Sequence, residues 1–359
     1  MSPVAAGPLH GVRVVDFSEL LPGPFLSQCL VDMGAEVVKI ERAPGGDNAR
    51  TLVPGVFAAM NRGKRSVFLD LKQPGQREEA LALVDTADVL LEGYRPGAMG
   101  RLGLDYATVS ARNPRLVYVS LSGYGQTGPS AQAPGHDINY LAAAGVTALS
   151  GRAGEPPEHG YGIPVADLSG GLYGLAATLA ALQQRHHTQR GQWLDVSITD
   201  CLMHMMNARI GQFASKGLNT LAQQRNEALL RPGYGVFTTG DGVAVSLAAV
   251  EEHFWQRLLE AIDLVIVDID AQSFAVRAEN ADQLNGRIAQ RIAQMDFAVL
   301  RERLTAADVP WFEVLAPASL RDHPQHQARK QLFNWPSTAG DMTLCKFPVR
   351  LDGMATPAV

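Results

Sequence analysis

The chain has 359 residues, 46% of them hydrophobic and 19% charged, with a net charge of −5 at pH 7. That length suits two domains, and the composition is that of a globular chain and not a disordered one. The negative balance provides no overall basic field for nucleic acid.

Three cysteines, Cys29, Cys201 and Cys345, lie far apart. They form no CxxC pair and no Cys/His metal spacing, so neither a structural disulfide nor zinc is expected. The opening MSPVAAGPLHG lacks a charged-then-apolar signal pattern, and no run of 18 apolar residues occurs. The expectation is a cytoplasmic protein with no membrane partner.

The chain opens with a short β-rich run at residues 12–17, VRVVDF. A Pro/Gly turn and a helix over 25–33 follow, then EVVKIE at 36–41. The pattern repeats with SVFLDL (66–71), a helix over 77–86, DVLLEG (88–93), a helix over 106–112 and LVYVSLS (116–122). Strands alternating with helices predict a parallel sheet covered on both faces. In such sheets ligands sit outside the carboxyl ends of the strands. Cationic side chains and glycines collect at those ends: Arg42, Lys72, the run from Tyr94 to Gly97, and GYGQTG at 123–128. That edge suits a phosphate-bearing ligand. GYGQTG matches GxGxxG literally, but Pro129 and SAQAPG follow where a dinucleotide fingerprint needs a helix.

Next come PGHDINYLAAAGV, a Gly/Pro/Glu-rich loop and GIPVADLSGG. They place His136 and Asp137 before one apolar helical run and Asp167 in the first turn of another. Asp137 reads as the N-cap of its helix, and Pro164 as the opening residue of the other. A helix N-terminus disfavours imidazolium and favours carboxylate, so His136 is expected neutral and Asp167 ionised. Gly170 and Gly171 allow a ligand or a neighbouring backbone to come close. A long apolar helix over 170–185, a strand at 192–197 and a Met-rich helix over 198–213 complete the first domain.

The chain then turns polar from Lys216 to Pro232, as a linker does. A second domain begins with a hairpin, 234–239 and 243–247 around Gly240-Asp241-Gly242. Helices are expected over 251–262, 281–294 and 297–307, with Glu251 and Glu252 in a first turn. The boundaries are 1–205 for a large domain, 206–232 for the linker, 233–318 for a small domain and 319–359 for a final segment.

Several segments together resemble the class III CoA-transferase superfamily, which includes the α-methylacyl-CoA racemases. They are LHGVRVVDFSELLPGPF, GAEVVKIERAPGGD, NRGKRSVFLDLK, DVLLEGYRPGAMGRLGLDY, SGYGQTGP, PGHDINY, VADLSGG and RGQWLDVSITD. The resemblance implies an α/β fold: a large Rossmann-like parallel-sheet domain, a smaller α+β domain and an interlocked homodimer. It implies acyl-CoA as substrate, with coenzyme A part of that substrate and no metal or further cofactor. Arg42, Leu69, Asp70, Leu71, Lys72, Gly93, Tyr94, Arg95 and Arg101 are expected to contact CoA. Gly135, Asp137, Ile138, Asn139 and Tyr140 are expected at the thioester end. Asp167 matches the aspartate that attacks the thioester in transferases and serves as an acid/base in racemases. His136, in the form GHDINY, and Glu251, in AAVEEHFW, match the second racemase base and its supporting carboxylate. The expectation is therefore a 2-methylacyl-CoA racemase using His136, Asp167 and Glu251, with a class III CoA-transferase as the alternative.

Overall fold

The computed structural model describes residues 7–160, 162–271 and 273–350. Six parallel strands form the main sheet: β1 (Arg13–Asp16), β2 (Glu36–Arg42), β3 (Arg65–Leu69), β4 (Val89–Glu92), β5 (Val117–Ser122) and β6 (Trp193–Ser197). Their order, β3-β2-β1-β4-β5-β6, reverses between β1 and β4, the arrangement of a doubly wound nucleotide-binding sheet. All four residues of β4 and all six of β5 are buried, as befits strands covered on both faces. Alternation divides them: Val14, Leu91, Val117 and Val119 enter one core. Val15, Leu90 and Tyr118 enter the other.

The chain divides into two compact units. The first comprises the parallel sheet, its helices and the chain from Gln327 onward, which includes the hairpin β10 (Leu332–Trp335) and β11 (Met342–Cys345). The second contains an antiparallel sheet of β7 (Tyr234–Thr238), β8 (Ala244–Ala248) and β9 (Trp311–Glu313). Helices Glu252–Ala261, Ala281–Ile292 and Phe297–Ala306 share its core, with Trp255, Leu258, Ile288 and Leu300 buried against Val245 and Leu247.

Three local expectations change. Pro22-Gly23-Pro24 is the first turn of the helix Pro22–Asp32 and not a turn before it, because proline at a helix start loses no needed N–H. The polar stretch read as a linker carries the helix Leu221–Leu229, capped by Thr220, and belongs to the second unit. The single helix expected over 198–213 is two, Ile198–Met205 and Asn207–Ser215.

Among the described residues, Val165–Thr188 is the one helix long and apolar enough to cross a membrane. Here its small residues pack it into the first unit. A Cβ at Gly170 would lie 2.7 Å from Ile198, and one at Gly174 would lie 2.6 Å from Leu26. At Gly171 it would lie 2.7 Å from the Phe25 ring and 3.0 Å from the Pro22 carbonyl oxygen. These glycines therefore admit neighbouring helices. The ligand approach offered as one reading of Gly170 and Gly171 is not what fills the space.

Gly171→Ala should lower the urea midpoint by an amount equivalent to about 1–3 kcal/mol of overpacking. That loss exceeds the roughly 1 kcal/mol that alanine gains by helix propensity. Gly75→Ala, with no atom within 4 Å of the new Cβ, serves as the control and should not destabilise. Equal midpoints for both variants would refute the packing role.

Candidate active site

Six residues expected at the CoA end line one cavity of about 390 Å³: Arg42, Leu69, Asp70, Leu71, Lys72 and Tyr94. Glu19, Ile40, Glu41, Ala43 and Leu102 complete its lining. It lies outside the carboxyl ends of β2 and β3, with Glu19 following β1 and Tyr94 following β4. Arg42 is exposed and donates to Asn48 Oδ1 at 3.2 Å. Lys72 is exposed, and its backbone N–H is held by Asp70 Oδ1 at 3.1 Å. Gly93, Arg95 and Arg101 are not among the described lining residues. Arg95 instead acts on Tyr140, and Arg101 lies on the short helix Ala98–Arg101.

A buried charge network that no motif announces supports this cavity. Lys39 pairs with Asp47 at 3.0 Å and Lys64 with Asp16 at 3.3 Å, all four side chains at most 1% exposed. Lys39 also donates to the Ser18 carbonyl at 2.6 Å, and Asp47 accepts the Leu20 N–H at 3.0 Å. Leu20 is held at φ 65°, a left-handed conformation that a leucine adopts only under outside constraint. Burial would push the Asp16 carboxyl up, but Lys39 and Lys64 hold it below the usual range. Burial pushes Lys64 down to about 8 against the attraction of Asp16. Breaking such a pair typically costs about 3–5 kcal/mol, because the remaining charge stays buried.

The reacting end forms where two helices begin. His136 is the N-cap of the helix Asp137–Ala143, and Asn139 Oδ1 accepts its backbone N–H at 3.0 Å. Asp137 is therefore not the N-cap of its own helix. Its carboxylate serves the other helix, Oδ1 accepting the backbone N–H of Asp167 at 3.0 Å. That helix starts after Pro164, its N-cap rather than its first residue, which supplies no side-chain acceptor. Asp137 thus satisfies an N–H that the local chain leaves open.

The same contact places two carboxyls together. Burial, reinforced by the charge of Asp137, pushes the Asp167 carboxyl up to about 7. The expectation of an ordinary ionised aspartate, based on the helix dipole, is overturned: desolvation outweighs the dipole. His136 and Ile138 are exposed. Tyr140 is wedged against Gly123 and Gly135, where a Cβ would approach its ring to 2.3 and 2.6 Å. It donates to the Gly135 carbonyl at 2.6 Å and meets the Tyr124 ring edge-on at 5.2 Å. Burial, then Asp167, pushes its hydroxyl up to about 12. Gly123 therefore seats Tyr140, while the Gln126 N–H turns to Asp195, 3.1 Å from Oδ2. No helix starts at GYGQTG, as the flanking Pro129 already implied.

Glu251 lies in the second unit as N-cap of the helix Glu252–Ala261, and is exposed. Its neighbour Glu252 is committed to Arg277 at 2.6 Å and Gln256 at 3.0 Å. The choice of Glu251 over Glu252 thus falls on the carboxylate with no hydrogen bond or ion pair among the described residues. Groups of His, Cys, Asp or Glu able to hold a metal are absent among the described residues.

The first unit thus carries a doubly wound sheet with a cation-flanked cavity at its strand ends and a part-buried aspartate at a helix start. The chain belongs to CoA-transferase family III, which it matches over residues 9–358. Acetyl-CoA:oxalate CoA-transferase of Acetobacter aceti is 32% identical over 98% of this chain and 91% of that protein. Human α-methylacyl-CoA racemase is 35% identical over 71% of this chain and 65% of that protein. A CAIB/BAIF family protein from Brucella suis, of known crystal structure, has a TM-score of 0.83 and 28% identity, over 98% of this chain and 94% of that one.

A carboxyl that acts as base or nucleophile must be ionised. With Asp167 raised to about 7, kcat/KM for the substrate toward which it acts as base or nucleophile should climb as pH rises through about 7 and fall away below it. Asp137→Asn keeps an acceptor for the Asp167 N–H but removes the like charge, so the limb should move to lower pH. A limb unmoved in Asp137→Asn would disprove the coupling.

Proposed function

We propose that this enzyme inverts the α-carbon of 2-methylacyl-CoA thioesters by two-base proton transfer. The observation that carries the reading is the Asp167 carboxyl, raised to about 7 at a helix start whose capping partner, Asp137, directly follows His136. A group that must take a proton in one direction and give it in the other works best near the operating pH. In one direction the Asp167 carboxylate takes the α-proton. The C–H electron pair passes into the thioester carbonyl and forms a planar enolate. Imidazolium His136 then protonates the opposite face, leaving Asp167 protonated and His136 neutral. The reverse reaction starts from that state, and exchange with water interconverts the two.

Glu251 enters on the family resemblance alone, as the carboxylate supporting His136. Arg42 and Lys72 are assigned to the CoA phosphates at the cavity rim, as a bidentate donor and a point charge. CoA is part of the substrate, and no other cofactor is invoked. A homodimer is proposed on the family resemblance.

One observation favours a second reading. The acetyl-CoA:oxalate CoA-transferase matches nearly the whole chain, whereas the racemase matches 71% of it. In that reading Asp167 attacks the thioester carbonyl, forms an acyl–aspartyl anhydride and expels the CoA thiolate. The thiolate then attacks the aspartyl carbonyl, which releases the donor carboxylate and leaves an aspartyl-CoA thioester. An acceptor carboxylate displaces the thiolate to give a second anhydride, and the thiolate attacks its acyl carbonyl to form the new acyl-CoA and free the Asp167 carboxylate.

Heavy water separates the readings. One epimer of a 2-methylacyl-CoA should gain α-deuterium and lose configuration, and His136→Ala should slow exchange by about 10²–10⁴-fold. CoA passing to an added carboxylate without α-exchange would sink the epimerase reading. Arg42→Ala combined with Lys72→Ala should weaken CoA binding about 10–100-fold, as expected for lost charge-assisted hydrogen bonds. Calorimetry with CoA alone reads that loss, and unchanged affinity would dismiss the cavity as the CoA site.

A further inference from the structure

We infer that Arg225 is a positioning residue, a guanidinium that fixes the path of the chain joining the two site helices. The inference rests on the proposed roles of His136 and Asp167. The helix that follows His136 ends at Ala143, and the helix carrying Asp167 starts at Val165. Between them, Ala148–Glu158 belongs to the second unit, while the residues on either side belong to the first. From Ser150 to Pro164 the described residues form neither helix nor strand, and residues 154–160 are exposed. Gly151 and Gly154 have φ of 76° and 81°, so this stretch has little regular structure to hold its path.

A buried guanidinium binds that stretch. Arg225, on the helix Leu221–Leu229, is 5% exposed. Its Nη1 donates to the carbonyls of Ala148 at 2.6 Å and Ser150 at 2.9 Å. Its Nη2 donates to those of Arg152 at 2.6 Å and Glu155 at 2.8 Å. Ser150 closes the stretch on itself: its hydroxyl donates to the Glu158 carbonyl at 2.6 Å and accepts the Glu158 N–H at 3.0 Å. A buried guanidinium ordinarily takes a carboxylate partner. Among the described residues Arg225 is in no ion pair, and four backbone dipoles satisfy it instead. Only the planar fork of arginine reaches four acceptors in this way; lysine is a point charge with three donors.

The connection between the helices limits how far Asp137 and Asp167 can drift apart. Their 3.0 Å hydrogen bond and a shared apolar core join the two helices, and the covalent path between them runs through the latched stretch. Without the latch that path gains conformational freedom, and the productive geometry is populated less. The CoA cavity is built from the ends of the first unit's strands, so CoA affinity does not depend on the latch.

The full-length protein, Arg225→Met and Arg225→Lys are compared. Arg152 is exposed and lies inside the latched stretch, so trypsin reports on it directly. Cleavage after Arg152 should be about tenfold faster in Arg225→Met, with other sites unchanged, since cutting follows the open population. The turnover number should fall about 10–100-fold with misplacement of the reacting groups, while affinity for CoA alone stays at the wild-type value. Arg225→Lys should fall between, and it decides the matter if the methionine variant does not fold. Unchanged cleavage at Arg152 would overturn the latch. Cleavage that rises while turnover is retained would overturn its positioning role. If the wild-type protein catalyses neither α-exchange nor CoA transfer, the proposed function fails and the trypsin result alone decides the latch.

Discussion

The hydrogen bond from the Asp167 N–H to the Asp137 carboxylate organises the reacting end. It solves a structural problem, since the longest helix in the first unit starts after a proline that cannot cap it. It creates a chemical condition, because the cap is a second carboxylate. A helix N-terminus favours ionised aspartate by about 0.3–2 kcal/mol. A rise from 3.8 to about 7 corresponds to roughly 4 kcal/mol in the opposite sense. Burial and like charge therefore prevail, and a residue that ordinarily is always ionised titrates near neutrality.

That burial depends on packing at some distance from the carboxyl. Gly170, Gly171 and Gly174 let the Asp167 helix press against Phe25, Leu26 and Ile198. Gly123 and Gly135 make a seat for the Tyr140 ring, which lies close enough for Asp167 to raise its hydroxyl. On the other side of the strand-order reversal, the pairs Lys39–Asp47 and Lys64–Asp16 fix the residues after β1, including the left-handed Leu20. The two ends use opposite electrostatics. In the network after β1, buried charges are neutralised in pairs. At Asp167 the neighbour has the same sign, and proton uptake relieves part of the charge instead.

Much of this was legible in the chain. Alternating strand and helix signals led to the parallel sheet, and residues at strand ends, Arg42, Leu69 to Lys72 and Tyr94, line one cavity. Those signals are local, because a strand end is marked by the residues that follow it. What escaped is long-range. Nothing near Asp137 shows that its carboxylate caps a helix thirty residues later, so it was read as the cap of its own. The ionisation of Asp167 was read from the helix dipole, a local property, and was reversed by burial, a tertiary one. The Pro22-Gly23-Pro24 sequence fits both a turn and a helix start; the chain takes the helix start, with Gly171 close against the Pro22 carbonyl. Arg95 and Arg101 carry the same sequence signal as Arg42 but are absent from the described cavity lining.

One carboxyl can support either chemistry named among the relatives, and its proton affinity bears on which it suits. A nucleophile that attacks a thioester is useful only as the anion, so a carboxyl half-protonated at pH 7 wastes part of its population. A two-way acid/base needs both forms: the anion meets one epimer and the acid meets the other. A value of about 7 supplies both at comparable concentration. Under the proposed reading, the Asp137–Asp167 pair is what lets the enzyme take either epimer at neutral pH, and the capping contact and the catalytic requirement are one interaction. His136 lies next to Asp137 in the chain, so the residue that sets the proton affinity of one base is covalently joined to the other. A shift in the start of that short helix would move His136 together with the carboxylate that tunes Asp167, which explains why its position should be held by more than local hydrogen bonds.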